Sequence, residues 1–299
     1  MSLAWKRIRH RFELAGVRFL IALPRLLPYR WAVRAGGTFG LLAFDLFRIR
    51  RRVTLDNLDR AFGETLSRRE KTRIGRCSYV NFAKSMVEFA SLGRLSKDDR
   101  RRIVRFEGLE HIRRAIEEGH GVILLSGHFG SWELLVTSFI VHDFEVDLLV
   151  GEQTNSLVND TINDIRRTTG AGIIERGMAA RGVFEALRER RVVPLLADQD
   201  ARKFGIFVDF FGTPASTLTG PAQFAVRTGC PIVCSFIVRR ADETHDAFVL
   251  PPLYARAGAE REAEIRRLTE ESTAILEEYV RRRPDHYFWA HRRWKTKPR

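Results

Sequence analysis

The chain has 299 residues, of which 44% are apolar and 29% charged. This composition is typical of a folded soluble or peripheral protein, and it excludes a disordered, collagen-like or multi-span membrane chain. Lys and Arg number 51 against 37 Asp and Glu, which gives a formal net charge of +14. The surplus favours an anionic partner, either nucleic acid, an anionic bilayer or an acidic protein. Three cysteines are too few for a disulfide framework and indicate a reducing compartment.

Residues 1–100 are predicted to form a helical, membrane-associating region. The apolar run at 14–27 contains Arg18, Pro24 and Arg25, so it is too short and too charged for a spanning helix, which needs about 20 apolar residues. It lacks the cleavage site of a signal peptide. Basic residues flank it: Lys6, Arg7, Arg9, Arg11, Arg30 and Arg34. This pattern favours a helix lying in the membrane interface, and the alternative is an amphipathic helix packed on the domain.

Residues 101–299 are predicted to form an α/β domain, with a mixed, mostly parallel sheet and crossover helices. Short apolar runs bounded by Gly or polar residues predict buried strands at 122–125, 146–150, 192–197 and 232–238. Segments with helical periodicity separate or follow them, at 132–141, 156–168, 179–190, 218–228 and 260–282. Strands that alternate with helices indicate parallel pairing, because a parallel connection needs a crossover.

His128 lies where the first of these strands turns into a helix. Ligands bind at the carboxyl ends of strands in open α/β sheets, so a histidine there is expected in a cleft. Glu133 follows five residues later, and on one continuous helix the two side chains would face different directions. We therefore expect His128 to precede the helix and its imidazole to reach back to Glu133. Gly127 and Gly130 would allow the loop to bend.

A histidine and a carboxylate in this arrangement indicate general acid–base chemistry. The neutral imidazole of His128 can take a proton from a hydroxyl, while the carboxylate of Glu133 fixes the tautomer. The spacing does not suit zinc, since a second histidine at helical spacing is missing. No Gly-x-Ser-x-Gly motif or cysteine nucleophile accompanies His128, which favours direct attack by the substrate hydroxyl. We expect no metal and no organic cofactor.

The segment Gly-His-Phe-Gly-Ser-Trp-Glu at 127–133 resembles the His-x4-Asp/Glu motif of the glycerolipid acyltransferase superfamily, in the version of the bacterial lipid A late acyltransferases. Further blocks follow in the same order. Asn-Ser-Leu-Val-Asn-Asp at 155–160 with Arg166 resembles that family's Asn-Pro-Leu segment and its following Arg. Leu-Ala-Asp-Gln-Asp at 196–200 resembles its Asp-x-Asp block, and the segment at 289–298 its closing Trp-x-His-Arg-Arg segment.

The resemblance implies an α/β acyltransferase catalytic domain at 101–299, with His128 as general base and Glu133 as its partner. It places Arg166, Asp198 and Asp200 at positions expected to bind substrate. Arg166 could also be a helix-surface residue, and the two Asp residues could anchor a loop through backbone amides. The implied reaction moves a fatty acyl chain from acyl carrier protein to a hydroxyl of a lipid A precursor, at the cytoplasmic face of the inner membrane.

Several alternatives stay open. Ser156 stands where the family usually has Pro, and related enzymes acylate phosphatidylinositol mannoside or other glycolipids, some from acyl-CoA. A basic membrane-surface scaffold would leave His128 idle. A nucleic-acid binder is disfavoured because no such motif is present, and because Phe204, Phe207 and the pair at 210–211 are expected to line a core or an acyl channel. Under the acyltransferase interpretation, the basic residues at 48–52 and at 292–297 would attract acyl carrier protein and lipid phosphates.

Overall fold

The structure is a computed structural model that describes residues 3–151, 154–175, 177 and 179–298. Of residues 3, 4 and 6–8 it describes the backbone alone. The side chains of Lys6 and Arg7, part of the predicted basic flank, therefore lie outside the described residues.

Helices make up the first hundred residues. They are α1 (Leu3–Ala22), α2 (Tyr29–Leu41), α3 (Arg51–Phe62), α4 (Arg68–Ser91) and α5 (Lys97–Ile103). Ser67 and Ser96 begin α4 and α5 with reciprocal capping boxes to Glu70 and Asp99, which satisfy backbone N–H groups that a helix start leaves unpaired. Within the described ranges, no helix has the length and apolar character needed to cross a bilayer.

Strands and helices alternate from residue 104 onward. The strands are β1 (Val104–Glu107), β2 (Val122–Ser126), β3 (Asp147–Val150), β4 (Gly172–Glu175), β5 (Val192–Leu196), β6 (Ile206–Phe210), β7 (Thr213–Thr217), β8 (Ile232–Arg239) and β9 (His245–Val249). The helices are α6 (Leu109–Glu117), α7 (Trp132–Ser138), α8 (Ser156–Thr168), α9 (Ala179–Arg188), α10 (Gly220–Thr228) and α11 (Arg261–Arg282).

The main sheet has the strand order β1-β9-β8-β2-β5. β2 pairs in parallel with β5 and β8, and β1 pairs in parallel with β9, whereas β8 and β9 are antiparallel. The parallel pair β3–β4 adjoins β5 through a bridge between Val146 and Val192. The prediction of a mixed, mostly parallel sheet with crossover helices is therefore confirmed.

Two apolar clusters cover opposite faces of this sheet. Side chains alternate between the faces of a strand, so Ile123 and Leu125 of β2 belong to one cluster and Val122 and Leu124 to the other. Every residue of β2 is buried, which explains its continuous apolar sequence. His128 thus lies in the loop that follows a fully buried strand.

The four phenylalanines expected to line a core or a channel divide into two groups. Phe210 and Phe211 are buried in the core, where Phe210 also stacks near Trp294. Phe207 is half-buried, and Phe204 is 72% exposed on a short helical turn. The expectation is therefore wrong for Phe204.

The C-terminal segment, residues 284–298, crosses the molecule between the helical region and the sheet. Asn57 of α3 donates to the carbonyls of Trp289 and His291, and Ser78 of α4 donates to the carbonyl of Tyr287. Trp289 and Trp294 are buried rather than solvated among charges. Large aromatic side chains thus fix this segment, although its sequence is strongly basic.

A buried ionic cluster joins α4 to β8 and β9. The carboxylate of Glu88 is fully buried and forms a bidentate pair with Arg239, while His245 Nε2 lies 3.4 Å from a Glu88 oxygen. Burial lowers the pKa of His245 to about 4, and the charge of Glu88 opposes this shift only in part, while Arg239 and His286 reinforce it. His245 is therefore neutral in the folded protein at neutral pH.

The low pKa of His245 predicts a loss of stability in mild acid. Between about pH 6.5 and pH 4 the unfolded chain binds a proton at His245 that the folded chain does not, so the free energy of unfolding falls as pH falls through this window. The expected loss attributable to His245 is about 3 kcal/mol. Urea unfolding at several pH values should show a flatter pH dependence for His245→Gln than for the unmodified protein. Parallel curves for the two proteins would contradict the assignment.

Candidate active site

The ends of two neighbouring strands bring His128 and Asp198 together. β2 and β5 pair in parallel with Ser126 opposite Leu196. His128 follows the end of β2 by two residues, and Asp198 follows the end of β5 by two residues. Because both strands run in the same direction, the two loops leave the sheet side by side.

The imidazole of His128 is held by Asp198. His128 Nδ1 lies 2.7 Å from Asp198 Oδ1, and the backbone N–H of His128 donates to Asp198 Oδ2 over 2.9 Å. Since the carboxylate can only accept, Nδ1 carries the proton and Nε2 of the neutral ring keeps its lone pair. The side chain of His128 is 21% exposed and that of Asp198 3%. Asp198 therefore fixes the orientation of the ring from its Nδ1 side.

Electrostatics favour the protonated form of His128 more than in water. Burial lowers the pKa of His128, but the charge of Asp198, its hydrogen bond and the charge of Glu133 outweigh burial and raise the pKa above 6.5. Burial raises the pKa of Asp198, yet the charge and hydrogen bonds of His128 hold the pKa below its ordinary value of 3.8. Asp198 is thus a carboxylate that stabilises an imidazolium.

Glu133 does not hydrogen-bond to His128, contrary to the expectation from sequence. Its carboxylate accepts two hydrogen bonds from Arg166 of α8, at 2.5 Å from Nη2 and 3.1 Å from Nε. Arg166 Nη1 also donates to Asn163. The hydrogen-bonding partner of His128 is Asp198 instead, because Glu133 points from α7 toward α8. Glu133 acts on His128 through its charge alone.

The loop between β2 and α7 is braced by the C-terminal segment. The carbonyl of His128 accepts from the N–H of Phe288, and the N–H of Gly130 donates to the carbonyl of His286. Gly130 has a φ of +58°, and a Cβ there would lie 2.1 Å from the carbonyl oxygen of Ile237. Only glycine fits this position. Of the two glycines that were predicted to let the loop bend, Gly130 has a positive φ and Gly127 does not.

Asp200 is bound to the C-terminal segment. Its carboxylate accepts from the backbone N–H and the hydroxyl of Thr296, and its own N–H donates to His291 Nε2 over 3.0 Å. Nearby Arg293 is buried and donates to the carbonyl of Ser216 and the hydroxyl of Thr217. The expectation that Arg293 helps to attract an acidic partner is therefore wrong, since its charge is enclosed.

Gln199 stands between Asp198 and Asp200 in the sequence, and its side chain reaches the Nε2 side of the His128 ring. Its Nε2 atom is 3.3 Å from His128 Nε2. Trp132 adds an aromatic edge, with its ring centroid 5.0 Å from that of His128. The five residues singled out in the sequence therefore form two pairs and one separate residue. His128 and Asp198 make one pair, Glu133 and Arg166 the other, and Asp200 fixes the loop.

Sequence reasoning missed the pairing of His128 with Asp198, although a signal was present. Each residue follows the end of a predicted buried strand, His128 by three positions and Asp198 by one. A parallel pairing of those two strands would have placed them next to each other. Gln199 and His291 lie within two of the sequence motifs. Nothing in their sequence neighbourhood indicates which ring or loop they contact.

Two curated acyltransferases are among the proteins that the chain resembles. The lipid A biosynthesis lauroyltransferase of Escherichia coli K12 is 26% identical over 290 residues, which is 95% of this chain and 90% of that protein. The phosphatidylinositol mannoside acyltransferase of Mycobacterium tuberculosis H37Rv is 34% identical over 132 residues, which is 42% of this chain. The chain therefore spans only 41% of the length of that mycobacterial relative.

The crystal structure of the 1-acyl-sn-glycerophosphate acyltransferase from Thermotoga maritima aligns with 83% of this chain and 96% of that chain, at 16% identity and a TM-score of 0.36. That likeness is too weak to support an argument. The family model described as bacterial lipid A biosynthesis acyltransferase matches residues 6–296. Since this match covers nearly the whole chain, the protein belongs to the bacterial lipid A biosynthesis acyltransferase family.

Proposed function

We propose that the protein is an O-acyltransferase that moves a fatty acyl chain onto a hydroxyl of a membrane glycolipid, with His128 as general base. The observation that carries this proposal is the orientation of His128. Asp198 holds Nδ1, so the unprotonated Nε2 lies on the far side of the ring, just past the carboxyl end of β2. This is the arrangement that proton removal from a hydroxyl requires.

The proposed reaction is direct transfer from a thioester. The acceptor hydroxyl oxygen attacks the thioester carbonyl while His128 Nε2 takes its proton. A C–O bond forms, the C–S bond breaks, and the proton passes from the imidazolium to the departing thiolate. Asp198 stabilises the imidazolium in between, as the raised pKa of His128 indicates.

Glu133 and Arg166 are proposed to contact the acceptor lipid. The two side chains are 13% and 18% exposed, and the charge of Glu133 acts on His128. Their bidentate pairing fixes a rigid polar edge against which a sugar or phosphate could rest. For Asp200 we propose the anchoring role that was open from the sequence, because Thr296 occupies both of its carboxylate oxygens.

The acceptor we propose is a lipid A precursor, with acyl carrier protein as the donor. The relative named lipid A lauroyltransferase aligns with 95% of the chain, which supports this choice. The second candidate is acyl-CoA-dependent acylation of phosphatidylinositol mannoside. It is supported by the higher identity, 34%, over the shorter stretch matched by the mycobacterial enzyme of that name.

Mass spectrometry of product lipids tests these proposals. The protein is incubated with a tetraacylated Kdo-lipid A precursor or with phosphatidylinositol mannoside, and each acceptor is offered acyl carrier protein or CoA carrying mixed acyl chains. We expect a mass gain of one acyl group on the lipid A precursor with the carrier-protein donor. A gain on the mannoside from acyl-CoA alone would establish the second candidate. Without a gain on any acceptor, a basic membrane-surface scaffold becomes the better interpretation.

An acidic carrier protein would find a basic surface near the site. Arg50 donates to the carbonyl of Ala290 and Arg60 to that of Trp294. These contacts place the basic residues at 48–52 beside the C-terminal segment, where Arg292, Lys295 and Lys297 are exposed. The two basic groups that were separate in the sequence are thus neighbours, which supports docking of an acidic donor here.

We also propose that the helical region attaches the protein peripherally to the cytoplasmic face of the inner membrane. Of the large apolar side chains that are exposed in the described residues, thirteen lie at positions 5–49 and four in the rest of the chain. The most exposed of the thirteen are Leu26 at 78% and Phe12 at 75%. An apolar concentration of this kind beside exposed arginines fits an interfacial surface.

This surface predicts that binding to anionic vesicles depends on Phe39 and Phe47, which are 57% and 66% exposed. Each phenylalanine that enters the interface contributes about 1.5–3 kcal/mol at full burial, so Phe39→Asp with Phe47→Asp should weaken binding by at least about tenfold. Vesicle flotation measures the change. Phe204→Asp replaces an exposed phenylalanine outside the helical region and serves as the control. Equal loss in both proteins would contradict a membrane surface at 5–49.

A further inference from the structure

Gln199 contacts the nitrogen of His128 that performs the proposed chemistry. We propose that the side-chain amide of Gln199 donates a hydrogen bond to His128 Nε2 in the free enzyme, and that the acceptor hydroxyl displaces it on binding. The inference rests on the proposed acyl transfer and adds a residue to that site. Its basis is the 3.3 Å separation of the two Nε2 atoms and the position of Gln199 directly after Asp198.

The proton on the opposite side of the ring fixes the direction of this hydrogen bond. A neutral imidazole has one N–H, and Asp198 accepts it at Nδ1. His128 Nε2 can therefore only accept, and the amide N–H of Gln199, not its carbonyl, must face it. Gln199 is half-buried and lies on the Nε2 side of the ring. It occupies the place from which a hydroxyl would deliver its proton.

Two consequences follow for His128. A donor at Nε2 stabilises the neutral ring and so opposes the raising effect of Asp198 and Glu133 on its pKa. In the C-terminal segment, burial and the charge of His128 lower the pKa of His291. Through this hydrogen bond, and without adding a charge, Gln199 thus favours the neutral form of His128, which is the form that can accept a proton.

The second consequence concerns water. A water molecule at His128 Nε2 could attack the thioester carbonyl. Its oxygen would form the C–O bond, the C–S bond would break, and His128 would pass the water proton to the thiolate, which wastes the donor. While Gln199 covers Nε2, this hydrolysis is hindered. The acceptor hydroxyl belongs to a lipid that the enzyme binds through other contacts, so the hydroxyl can displace the amide. A single water molecule has no such additional contacts and competes poorly with the amide.

The first test does not depend on any activity. The titration of His128 is followed by NMR with 15N-labelled histidine in the unmodified protein, Gln199→Ala and Gln199→Glu, and the signal is assigned with His128→Ala. We expect the midpoint to rise by about half a pH unit in Gln199→Ala, because the neutral form loses a hydrogen bond. It should rise further in Gln199→Glu, whose carboxylate accepts from the imidazolium. Gln223→Ala, which removes an exposed amide bonded to Thr219, should leave the midpoint unchanged.

The second test measures how the donor is divided between transfer and hydrolysis. Acyl carrier protein loaded with one acyl chain is incubated with the acceptor that the product analysis identifies. We expect the ratio of hydrolysis to transfer to rise about tenfold in Gln199→Ala, the factor that one ordinary hydrogen bond provides. The inference is overturned if both Gln199 variants keep the midpoint and the ratio of the unmodified protein. Absence of transfer in the unmodified protein would instead refute the proposed function, while the titration would still decide the hydrogen bond.

Discussion

Replacement of His128 by alanine is expected to lower kcat/KM for acyl transfer by about a thousandfold, the middle of the range for a lost general base. The residual rate would come from binding and orientation of the two substrates. Initial rates with saturating acyl donor and varied acceptor give the value. The structure predicts little effect on folding, because the side chain is partly exposed.

His120→Ala provides the matched control for this prediction. His120 is half-buried and packs near Tyr254, outside the site. Its replacement should leave kcat/KM within about twofold, since surface changes away from the site are nearly neutral. If His128→Ala kept more than a tenth of the activity, His128 could not be the base, and the orientation provided by Asp198 would need another explanation.

Asp198→Asn is expected to lower kcat by about a hundredfold to ten-thousandfold, because the amide no longer stabilises the imidazolium and can present the wrong group to Nδ1. The pH profile gives a second, independent signature. The proposed reaction needs neutral His128, so we expect activity to fall as pH drops through the pKa of His128, which Asp198 raises. Removal of the Asp198 charge lowers the pKa of His128. The acid limb of the pH–activity profile should therefore move to lower pH.

Two variants separate this role from its alternatives. Asp200→Asn also replaces a carboxylate by an amide, two residues from Asp198. It should lower kcat by less than about tenfold, because it weakens a loop contact rather than the pair of Asp198 with His128. Glu133→Gln tests the pairing predicted from sequence. If Glu133→Gln moved the acid limb strongly and Asp198→Asn did not, Glu133 would be the partner of His128 and the hydrogen bond to Asp198 would have no catalytic meaning.

The sequence predicted elements whose signal is local. Helix α8 spans Ser156–Thr168 as expected, because Asn155 caps its first turn and its apolar positions recur at helical spacing. Strand β2 agrees within one residue, since it is buried on both faces and therefore continuously apolar. In contrast, β9 was missed because His245 and Asp246 open it, and the burial of His245 depends on the distant Glu88 and Arg239.

The position of the candidate site was predicted from the sequence, but the hydrogen-bonding partner of His128 was not. Local patterns placed His128 at the end of a strand, which the structure bears out. They could not decide between Glu133 and Asp198, because the choice depends on which strand lies next to β2. The enclosure of Arg293 was equally hidden, since its contacts with Ser216 and Thr217 come from another part of the chain. Sequence-distant contacts of this kind are determined by packing, not by local preference.

The bracing of the His128 loop by the C-terminal segment sets an order of events during synthesis. The hydrogen bond from Phe288 to His128 joins parts of the chain that leave the ribosome far apart in time. Helices α1 to α4, with the proposed membrane surface, emerge long before it can form. A nascent chain can therefore reach a bilayer while its His128 loop still lacks its final support. His128, the proposed base, gains this support only after residues 286–288 have left the ribosome, so a tethered, unfinished molecule is poorly equipped to waste an acyl donor.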